Sequence, residues 1–424
     1  MKNALIIASF WPYRQGSKRV PGLAKYLPEF GWQPTILTPP LHGKPDTQFK
    51  VIETPCRDAL GVWTRLFRLN PDEDVRAQVK KRFGITSRNS FVDFFLTLGG
   101  GVINYPDSYK GWKPFAVKAG DEFLQNKPVD AIVSIWPVTS HLIARDLKAK
   151  HKVPWLADFP DLWSQNAYYV YGPLRKFIDR RLELKTISNA DALVTTSEPW
   201  AEKLRMLHKR KSVYAITHGF DPALVNTPPV NLTSKFTITY TGILYSGMRD
   251  PSKLFAALRD LFFDETMNPD EVEVRFYGPT EGWIGNEIEQ YGLSSIVKQC
   301  GIVPHQLSLQ KQRESQLLLL LDWDDKNERG VLTGKIFEYL GARRPILATG
   351  GVAGNVVDVL LDETKAGIHT PTVEDTKHTL KKLYQEYKQK GEITYNGEGS
   401  KLSKYSHLEM ARKFSGILDH LVVR

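Results

Sequence analysis

The spacing of hydrophobic residues along the chain alternates between continuous apolar runs and helical periodicity, which predicts alternating strands and helices. Residues 3–9 form a continuous apolar run, typical of a strand buried on both faces of a parallel sheet. Apolar positions from Val20 to Leu27 then recur at helical spacing, and Pro28 should shorten that helix before Gly31 ends it. Residues 34–38 predict a second strand, so the chain opens with a βαβ unit.

The alternation stops over residues 57–125, where we predict a helical insertion with a hinge at residues 99–101. It resumes afterwards. Strands are predicted at 129–135, 153–157, 192–196 and 213–217, with helices at 138–150, 174–188 and 198–210. Residues 225–234 hold two prolines and no charge, which indicates a linker.

A second alternating series follows the linker. Its predicted strands are 236–241, 272–277, 296–300, 317–321 and 345–348, and its predicted helices are 251–263, 283–291, 307–314, 333–340, 373–389 and 405–421. We therefore predict an α/β protein with two doubly wound, Rossmann-like domains, at 1–225 and 226–404, facing a central cleft. Residues 405–424 are expected to pack back toward the first domain. Ligands should bind at the carboxyl ends of the strands.

Charge is distributed unevenly along the 424 residues. The net charge is +10, yet residues 1–221 hold 33 Lys and Arg against 21 Asp and Glu, and the remainder holds 24 against 26. Bases alternate with aromatic residues in segments 57–118 and 170–212. Such a surface suits an anionic membrane or nucleic acid, but it is also compatible with a solvated surface that has no partner. No nucleic-acid motif accompanies it, so we expect no nucleic-acid partner.

The sequence also limits the compartment and the class of protein. No apolar run approaches the roughly 18 residues of a membrane-spanning helix, and the first residues resemble a buried strand more than a signal peptide. Cys56 and Cys300 are too few and too far apart for a disulfide framework or a zinc ribbon. We expect a cytoplasmic protein without a metal or cofactor, peripheral at the inner face of the cell membrane.

The segment from Thr333 to Gly350 is the most informative motif. A loop enters a helix there, so free backbone N–H groups and the helix dipole at Thr333 and Gly334 favour an anion, and Lys335 adds a positive charge. Glu338 lies one turn later on the same face, where a carboxylate accepts hydrogen bonds from ribose hydroxyls. These features together indicate a nucleotide diphosphate site. The alternative is a surface ion pair between Lys335 and Glu338.

At this point the sequence resembles the retaining family 4 glycosyltransferases of the GT-B fold, in their surface-polysaccharide branch. Residues 335–347 (KIFEYLGARRPIL) resemble the donor-site helix of that family, and other segments resemble it in the same order along the chain. These are residues 155–163 (WLADFPDLW), 218–221 (HGFD), 240–247 (YTGILYSG) and 301–304 (GIVP). The resemblance covers most of the chain except residues 57–125.

The resemblance implies roles for individual residues of the second domain. Glu338 would bind the donor ribose, and Thr333, Gly334 and Lys335 the diphosphate. Thr241 and Gly242 would lie in the donor loop, and Val303 in the nucleobase loop. Two positions depart from the family pattern. Gly330 replaces a sugar-binding Glu, with Asp325 and Glu328 nearby, and Ile243 replaces the first residue of a basic pair. Arg249 is the candidate for the second, unless it pairs with Asp250.

In the first domain the resemblance implies that Gly16 and Ser17 form a small-residue loop near the donor phosphates. Asp158 and Asp161 follow a predicted strand end, where either could orient the acceptor hydroxyl, although one of them should only cap the next turn. His141 is a further catalytic candidate, with an interior histidine as the alternative.

The implied reaction moves a sugar from a nucleotide-diphosphate sugar to a sugar or lipid-linked sugar acceptor, with retention and without a metal. The sequence leaves two alternatives: a sugar-nucleotide epimerase of the same architecture, and a non-catalytic nucleotide-sugar-binding subunit. Gly330 and Ile243 favour the second of these.

Overall fold

A computed structural model describes residues 1–9, 18–40, 49–57, 105–169, 171–226, 230–245 and 248–423. The chain divides into two compact units. Unit 1 comprises Met1–Ile216 with Ala411–Arg424, and unit 2 comprises Thr217–Met410. Each unit is built around one parallel sheet with helices on its faces, so both halves of the chain have the doubly wound α/β architecture that the alternating pattern predicts.

The sheet of unit 1 has seven strands in the order β3-β2-β1-β4-β5-β6-β7. The strands are β1 (Lys2–Ile7), β2 (Trp32–Thr38), β3 (Lys50–Glu53), β4 (Ala131–Ile135), β5 (Trp155–Phe159), β6 (Ala192–Thr195) and β7 (Ser212–Ala215). Its central strands are buried along their whole length, because helices cover both faces.

The described helices of unit 1 are α1 (Arg19–Tyr26), α2 (Lys113–Asn126), α3 (Val138–His151), α4 (Pro173–Ile187) and α5 (Glu198–Leu207). Helix α1 stops two residues before Pro28. A tight turn over Leu27–Phe30 follows, and Gly31 then adopts a left-handed conformation with φ of 80°. The predicted shortening by Pro28 is thus confirmed. Helix α2 lies at the end of the predicted insertion, whose residues 58–104 are outside the described part of the chain.

The sheet of unit 2 has six strands in the order β10-β9-β8-β11-β12-β13. The strands are β8 (Phe236–Thr241), β9 (Val272–Tyr277), β10 (Val297–Gly301), β11 (Leu317–Leu321), β12 (Ile346–Thr349) and β13 (Gly367–Thr370). Strand β11 is five consecutive leucines. Leu317, Leu319 and Leu321 pack into one hydrophobic layer, and the two leucines between them pack into the other. A strand with a helical layer on each face needs apolar residues at every position.

The described helices of unit 2 are α6 (Ser252–Phe263), α7 (Gly282–Gln290), α8 (His305–Arg313), α9 (Gly334–Ala342), α10 (Val356–Thr364), α11 (Val373–Lys390) and α12 (Gly399–Leu402). Helix α13 (His407–Val423) starts in unit 2, and its residues from Ala411 onward belong to unit 1. In unit 1 its Asp419 pairs with Lys2 and accepts a hydrogen bond from Trp32 Nε1. Among the residues that the structure describes, no helix is both long and apolar enough to span a bilayer.

Four elements were absent from the sequence prediction: strands β3 and β13, and helices α10 and α12. Both strands are short and lie at an edge of a sheet, with half-exposed side chains that lack an apolar run.

The predicted position of Asp158 after the strand end was also wrong. It lies inside β5, one residue before the strand ends, and not after it.

Candidate functional site

The residues predicted to bind a nucleotide lie in unit 2, at the point where its strand order reverses. Strands β8 and β11 are neighbours, and the chain leaves them toward opposite edges of the sheet. The loops after two such strands diverge and leave a crevice at their carboxyl ends. Thr241 ends β8 and Gly242 follows it, while Asp322 follows β11. The loops after β8 and β11 that the sequence singled out therefore lie at the crevice where doubly wound sheets bind ligands.

Helix α9 presents an uncapped N-terminus. Thr333 occupies the N-cap with an extended backbone, yet its side chain makes no capping hydrogen bond. Its buried Oγ1 has no hydrogen-bond partner among the described residues. Gly334 is exposed, and a Cβ added there would meet no atom within 4 Å. There is thus open space beside Gly334 at the start of a helix, where backbone N–H groups lack intrahelical acceptors, an arrangement that suits a phosphate.

Lys335 extends from this N-terminus across the end of β8. Its Nζ lies 3.5 Å from the carbonyl oxygen of Ile243, and 5.1 Å and 5.8 Å from the ring centroids of Tyr240 and Tyr245. Burial lowers the pKa of Lys335 to about 7, and the positive charge of Arg249 acts in the same direction. The residue as a whole is half-buried, and an anion bound beside Lys335 would stabilise its ammonium form.

Arg249 supplies the second positive charge. It is 6% exposed, and its Nη1 donates a 2.9 Å hydrogen bond to the carbonyl oxygen of Leu321 at the end of β11. The same nitrogen lies 4.0 Å from Oδ1 of Asp322. Asp250 instead accepts a hydrogen bond from the backbone N–H of Ser252 at the start of α6. The guanidinium of Arg249 therefore lies at the carboxyl end of β11, near Lys335.

Glu338 lies one helical turn after Lys335 and is held by helix α8. Its Oε1 is 3.0 Å from Nε2 of His305, and its Oε2 is 3.3 Å from Nε2 of Gln312. Gln312 is fully buried, and its Nε2 also donates to Oγ1 of Thr241 at 3.0 Å. The carboxylate is thus oriented and remains 24% exposed, as a group that binds ligand hydroxyls must be.

The sequence reasoning missed Gln312, His305 and Tyr240. Gln312 is one of two buried residues of α8, three positions after the other, Leu309. A polar residue at a predicted core position of a helix was the available signal. Val303 is half-buried in the loop between β10 and α8, and its neighbour Ile302 is 66% exposed. This loop leads directly into the helix that holds Glu338.

Gly330 lies in the loop after β11, at the position where the resemblance implies a sugar-binding Glu. The structure shows where its nearby acids are directed. Glu328 is buried and accepts a 2.9 Å hydrogen bond from the backbone N–H of Gly330. Asp325 accepts one from the backbone N–H of Asn327. Both carboxylates thus take part in local turns of this loop.

Asp158 in unit 1 forms a buried ion pair with Arg19. Nε and Nη2 of Arg19 donate to the two carboxylate oxygens at 2.6 Å and 2.9 Å, and Nη1 donates to the carbonyl oxygen of Ile216 at 3.0 Å. Neither side chain is exposed. Burial raises the pKa of Asp158, and the guanidinium opposes that rise. Asp158 therefore links β5 to α1, 139 residues away in the chain.

His141 is fully buried in α3. Trp155 Nε1 donates to Ser134 Oγ, and the same hydroxyl is hydrogen-bonded to Nδ1 of His141 at 2.7 Å. Nε2 of His141 has no partner among the described residues. Burial lowers the pKa of His141 to about 3, so the ring, stacked on Phe159, is uncharged near neutral pH.

Asp161 is exposed after β5, and desolvation by the surrounding protein raises the pKa of its carboxyl. Of the two aspartates, it is the one with access to a substrate. Gly16 and Ser17 lie outside the described residues.

The comparisons with known proteins agree with this architecture. Residues 16–214 match the family described as the glycosyl transferase 4-like domain. A sequence search of curated proteins found no match.

Solved structures match over the full chain length. A glycosyltransferase from Rickettsia africae ESF-5 is 13% identical with a TM-score of 0.62, covering 99% of this chain and 98% of its own. Sucrose-phosphate synthase from Thermosynechococcus elongatus is 14% identical with a TM-score of 0.62, covering 100% of both chains. The apo lipopolysaccharide outer core galactosyltransferase WaaB is 12% identical with a TM-score of 0.59, covering 99% of both.

Proposed function

We propose that this chain is a glycosyltransferase of the GT-B fold that transfers a sugar from a nucleotide-diphosphate sugar to an acceptor hydroxyl. One observation carries the proposal. Lys335 lies at the N-terminus of α9 and interacts electrostatically with Arg249, and one turn later Glu338 is held in place by Gln312 and His305. Two cations and a helix N-terminus match a pyrophosphate, and the oriented carboxylate matches the hydroxyls of the attached ribose.

The chemistry required of this site is charge stabilisation. As the bond between the anomeric carbon and the phosphate oxygen breaks, negative charge grows on the diphosphate, where Lys335, Arg249 and the α9 N-terminus stabilise it. The acceptor oxygen forms the new bond to the anomeric carbon, and its proton passes to the leaving phosphate. Retention of configuration follows if both events take place on one face of the sugar. Because protein cations neutralise the leaving group, we propose that the reaction needs no metal.

The acceptor is assigned to unit 1, whose exposed Asp161 is the candidate for orienting its hydroxyl. We propose a sugar or a lipid-linked sugar as acceptor, in the assembly of cell-surface polysaccharide or glycolipid, on the cytoplasmic side of the membrane. The excess of basic residues in the first half of the chain supports an anionic environment for this unit.

The direct test is transfer with a panel of nucleotide sugars, chosen by which nucleoside diphosphate raises the melting temperature of the protein. Replacing Glu338 by Gln keeps the shape but removes the charged acceptor of the ribose hydroxyls. We expect donor affinity to fall about tenfold or more, as for the loss of a charge-assisted hydrogen bond, without a change in melting temperature. Glu289→Gln, at an exposed glutamate of the same unit, is the matched control.

Three results would contradict the proposal. If Glu338→Gln left sugar transfer unchanged, the donor would bind at another site. Conversion of the donor sugar to its epimer without acceptor would identify an epimerase of the same architecture, and donor binding without any turnover in the presence of candidate acceptors would favour the non-catalytic subunit.

A second prediction concerns Gly242, which lets Lys335 approach the end of β8. Its φ is +126°, and a Cβ there would stand 2.1 Å from Cε of Lys335. Gly242→Ala should displace the lysine and weaken nucleoside diphosphate binding about tenfold or more, measured by calorimetry. Gly285→Ala in α7 is the control, since its Cβ would meet only Gln299 Nε2, at 3.7 Å. Equal binding by both variants would show that the position of Lys335 does not matter.

A further inference from the structure

Helix α4 packs on unit 1 with its acidic side inward. Its only acids, Asp179 and Glu183, are buried together with Thr186 and Ile187. Asp179 accepts hydrogen bonds from Tyr169 Oη at 2.6 Å and Arg175 Nε at 3.0 Å. Glu183 accepts one from the backbone N–H of Ser164 at 3.0 Å and lies 3.2 Å from Nε2 of His208. Specific partners for both carboxylates thus fix which side of α4 faces the protein.

The opposite side of α4 is apolar and exposed. Leu174 is 74% exposed, Phe177 53%, Ile178 42% and Leu184 38%. The first three lie at positions i, i+3 and i+4, and the fourth lies at i+10, so all four project from one face of the helix. This reverses the usual arrangement of a surface helix, which turns its apolar residues inward. We call these four residues the apolar face of α4.

Basic residues lie among and beside these apolar residues, and the exposed residues of the helix include no acid. Lys176, Arg180, Arg181 and Lys185 are exposed, and the guanidinium of Arg181 lies 4.5 Å from the ring centroid of Phe177. More bases follow after α5, where His208 contacts Glu183 of α4 and Lys211 donates to the carbonyl oxygen of Ser188, the residue after α4. Between those two contacts lie Lys209 and Arg210, both exposed.

We propose that the apolar face of α4 docks on a bilayer with anionic headgroups. The four apolar side chains would enter the boundary between headgroups and acyl chains, and the surrounding bases would contact lipid phosphates. A second copy of this chain fits less well, because a two-fold interface would place the same bases opposite one another. The inference adds to the proposed function the element of the fold that binds the membrane, and it does not require that function to be correct.

Vesicle co-sedimentation of the full-length protein tests the proposal without any sugar donor, so its result is independent of transferase activity. The protein should sediment with phosphatidylcholine vesicles that contain phosphatidylglycerol, but not with phosphatidylcholine alone, and binding should weaken as salt rises. Phe177→Ser/Ile178→Ser should reduce the partition coefficient about tenfold or more. Phe263→Ser, at a 90% exposed phenylalanine of α6, should not.

Charge is tested in the same way. Arg181→Glu/Lys185→Glu should reduce binding at least about tenfold, whereas Lys381→Glu/Lys382→Glu on α11, with the same change in net charge at exposed positions, should leave it nearly unchanged. The proposal is overturned if the wild-type protein ignores anionic vesicles at low salt, or if both charge reversals weaken binding equally. A concentration-dependent dimer that Phe177→Ser/Ile178→Ser dissociates, seen by sedimentation velocity in the absence of vesicle binding, would overturn it in favour of self-association.

Discussion

Replacement of Lys335 by Ala should reduce kcat/KM for sugar transfer by about 10²- to 10³-fold, the cost of losing one preorganised group that stabilises transition-state charge. Lys335 lies across the end of β8 near Arg249, at the N-terminus that would hold the diphosphate. Most of the loss should appear in kcat, because the leaving diphosphate carries more negative charge in the transition state than in the bound donor. Lys382→Ala, at an exposed lysine of the same unit, should leave kcat/KM unchanged.

The lowered pKa of Lys335 adds a pH dependence with a definite sign. With a pKa of about 7 in the free protein, the amine is largely uncharged at pH 8. A bound pyrophosphate favours the ammonium form and raises the pKa, so donor binding takes up a proton and affinity falls as pH rises from 7 to 9. The limiting slope is about tenfold per pH unit for one proton.

Calorimetry in buffers of different ionisation enthalpy measures this proton uptake directly. A nucleotide sugar is the right ligand, because its pyrophosphate has no proton that titrates near neutral pH. Lys335→Arg keeps the positive charge at every pH in this range and should remove most of the slope. An affinity that increases with pH, or the same slope in the arginine variant, would refute the role of Lys335.

Replacement of Asp158 by Asn should destabilise unit 1 by about 3 kcal/mol, because it leaves the guanidinium of Arg19 buried without its counterion. For a unit of this size the melting temperature should fall by about 6–12 °C. Asp161→Asn, three residues later at an exposed position, should leave the melting temperature within about 1 °C and reduce kcat instead. Differential scanning calorimetry and initial-rate assays of the two variants separate the two roles.

The double variant Arg19→Met/Asp158→Leu isolates the cause of the destabilisation. If the unpaired charge is responsible, removing both charges should recover much of the lost stability. An Asp158→Asn protein with the melting temperature of the wild type and with strongly reduced transfer would instead make Asp158 a catalytic residue.

The sequence predicted the strands that lie at the centre of each sheet, and the reason is visible in β1 and β11. A strand covered by helices on both faces must be apolar at every position, so its signal is local. Edge strands β3 and β13 are only partly covered on their faces, and their short, half-exposed sequences carried no pattern. Helix α9 was predictable for a similar reason, since its N-terminus and the spacing of Lys335 and Glu338 are properties of one short segment.

The partners of the site residues could not be predicted in this way. Gln312 reaches Glu338 across 26 residues, and Arg249 reaches the end of β11 across 72. Asp158 is a second example. Its position near a strand end suggested a catalytic role, whereas in the structure it pairs with Arg19, which lies 139 residues earlier in the chain. Such pairs are set by which strands are neighbours, which no local pattern encodes.

The sequence by itself therefore determined the alternating α/β architecture and the placement of Lys335 and Glu338 in the first turns of one helix, because periodicity and helix termini are local properties. Only the tertiary structure decided which charged groups stay accessible and which stabilise the fold. It turned Asp158 inward, oriented the Glu338 carboxylate, and buried the acids of α4 so that its apolar side faces outward. The physical reason is that a charge is stable inside a protein only where distant parts of the chain supply its partners.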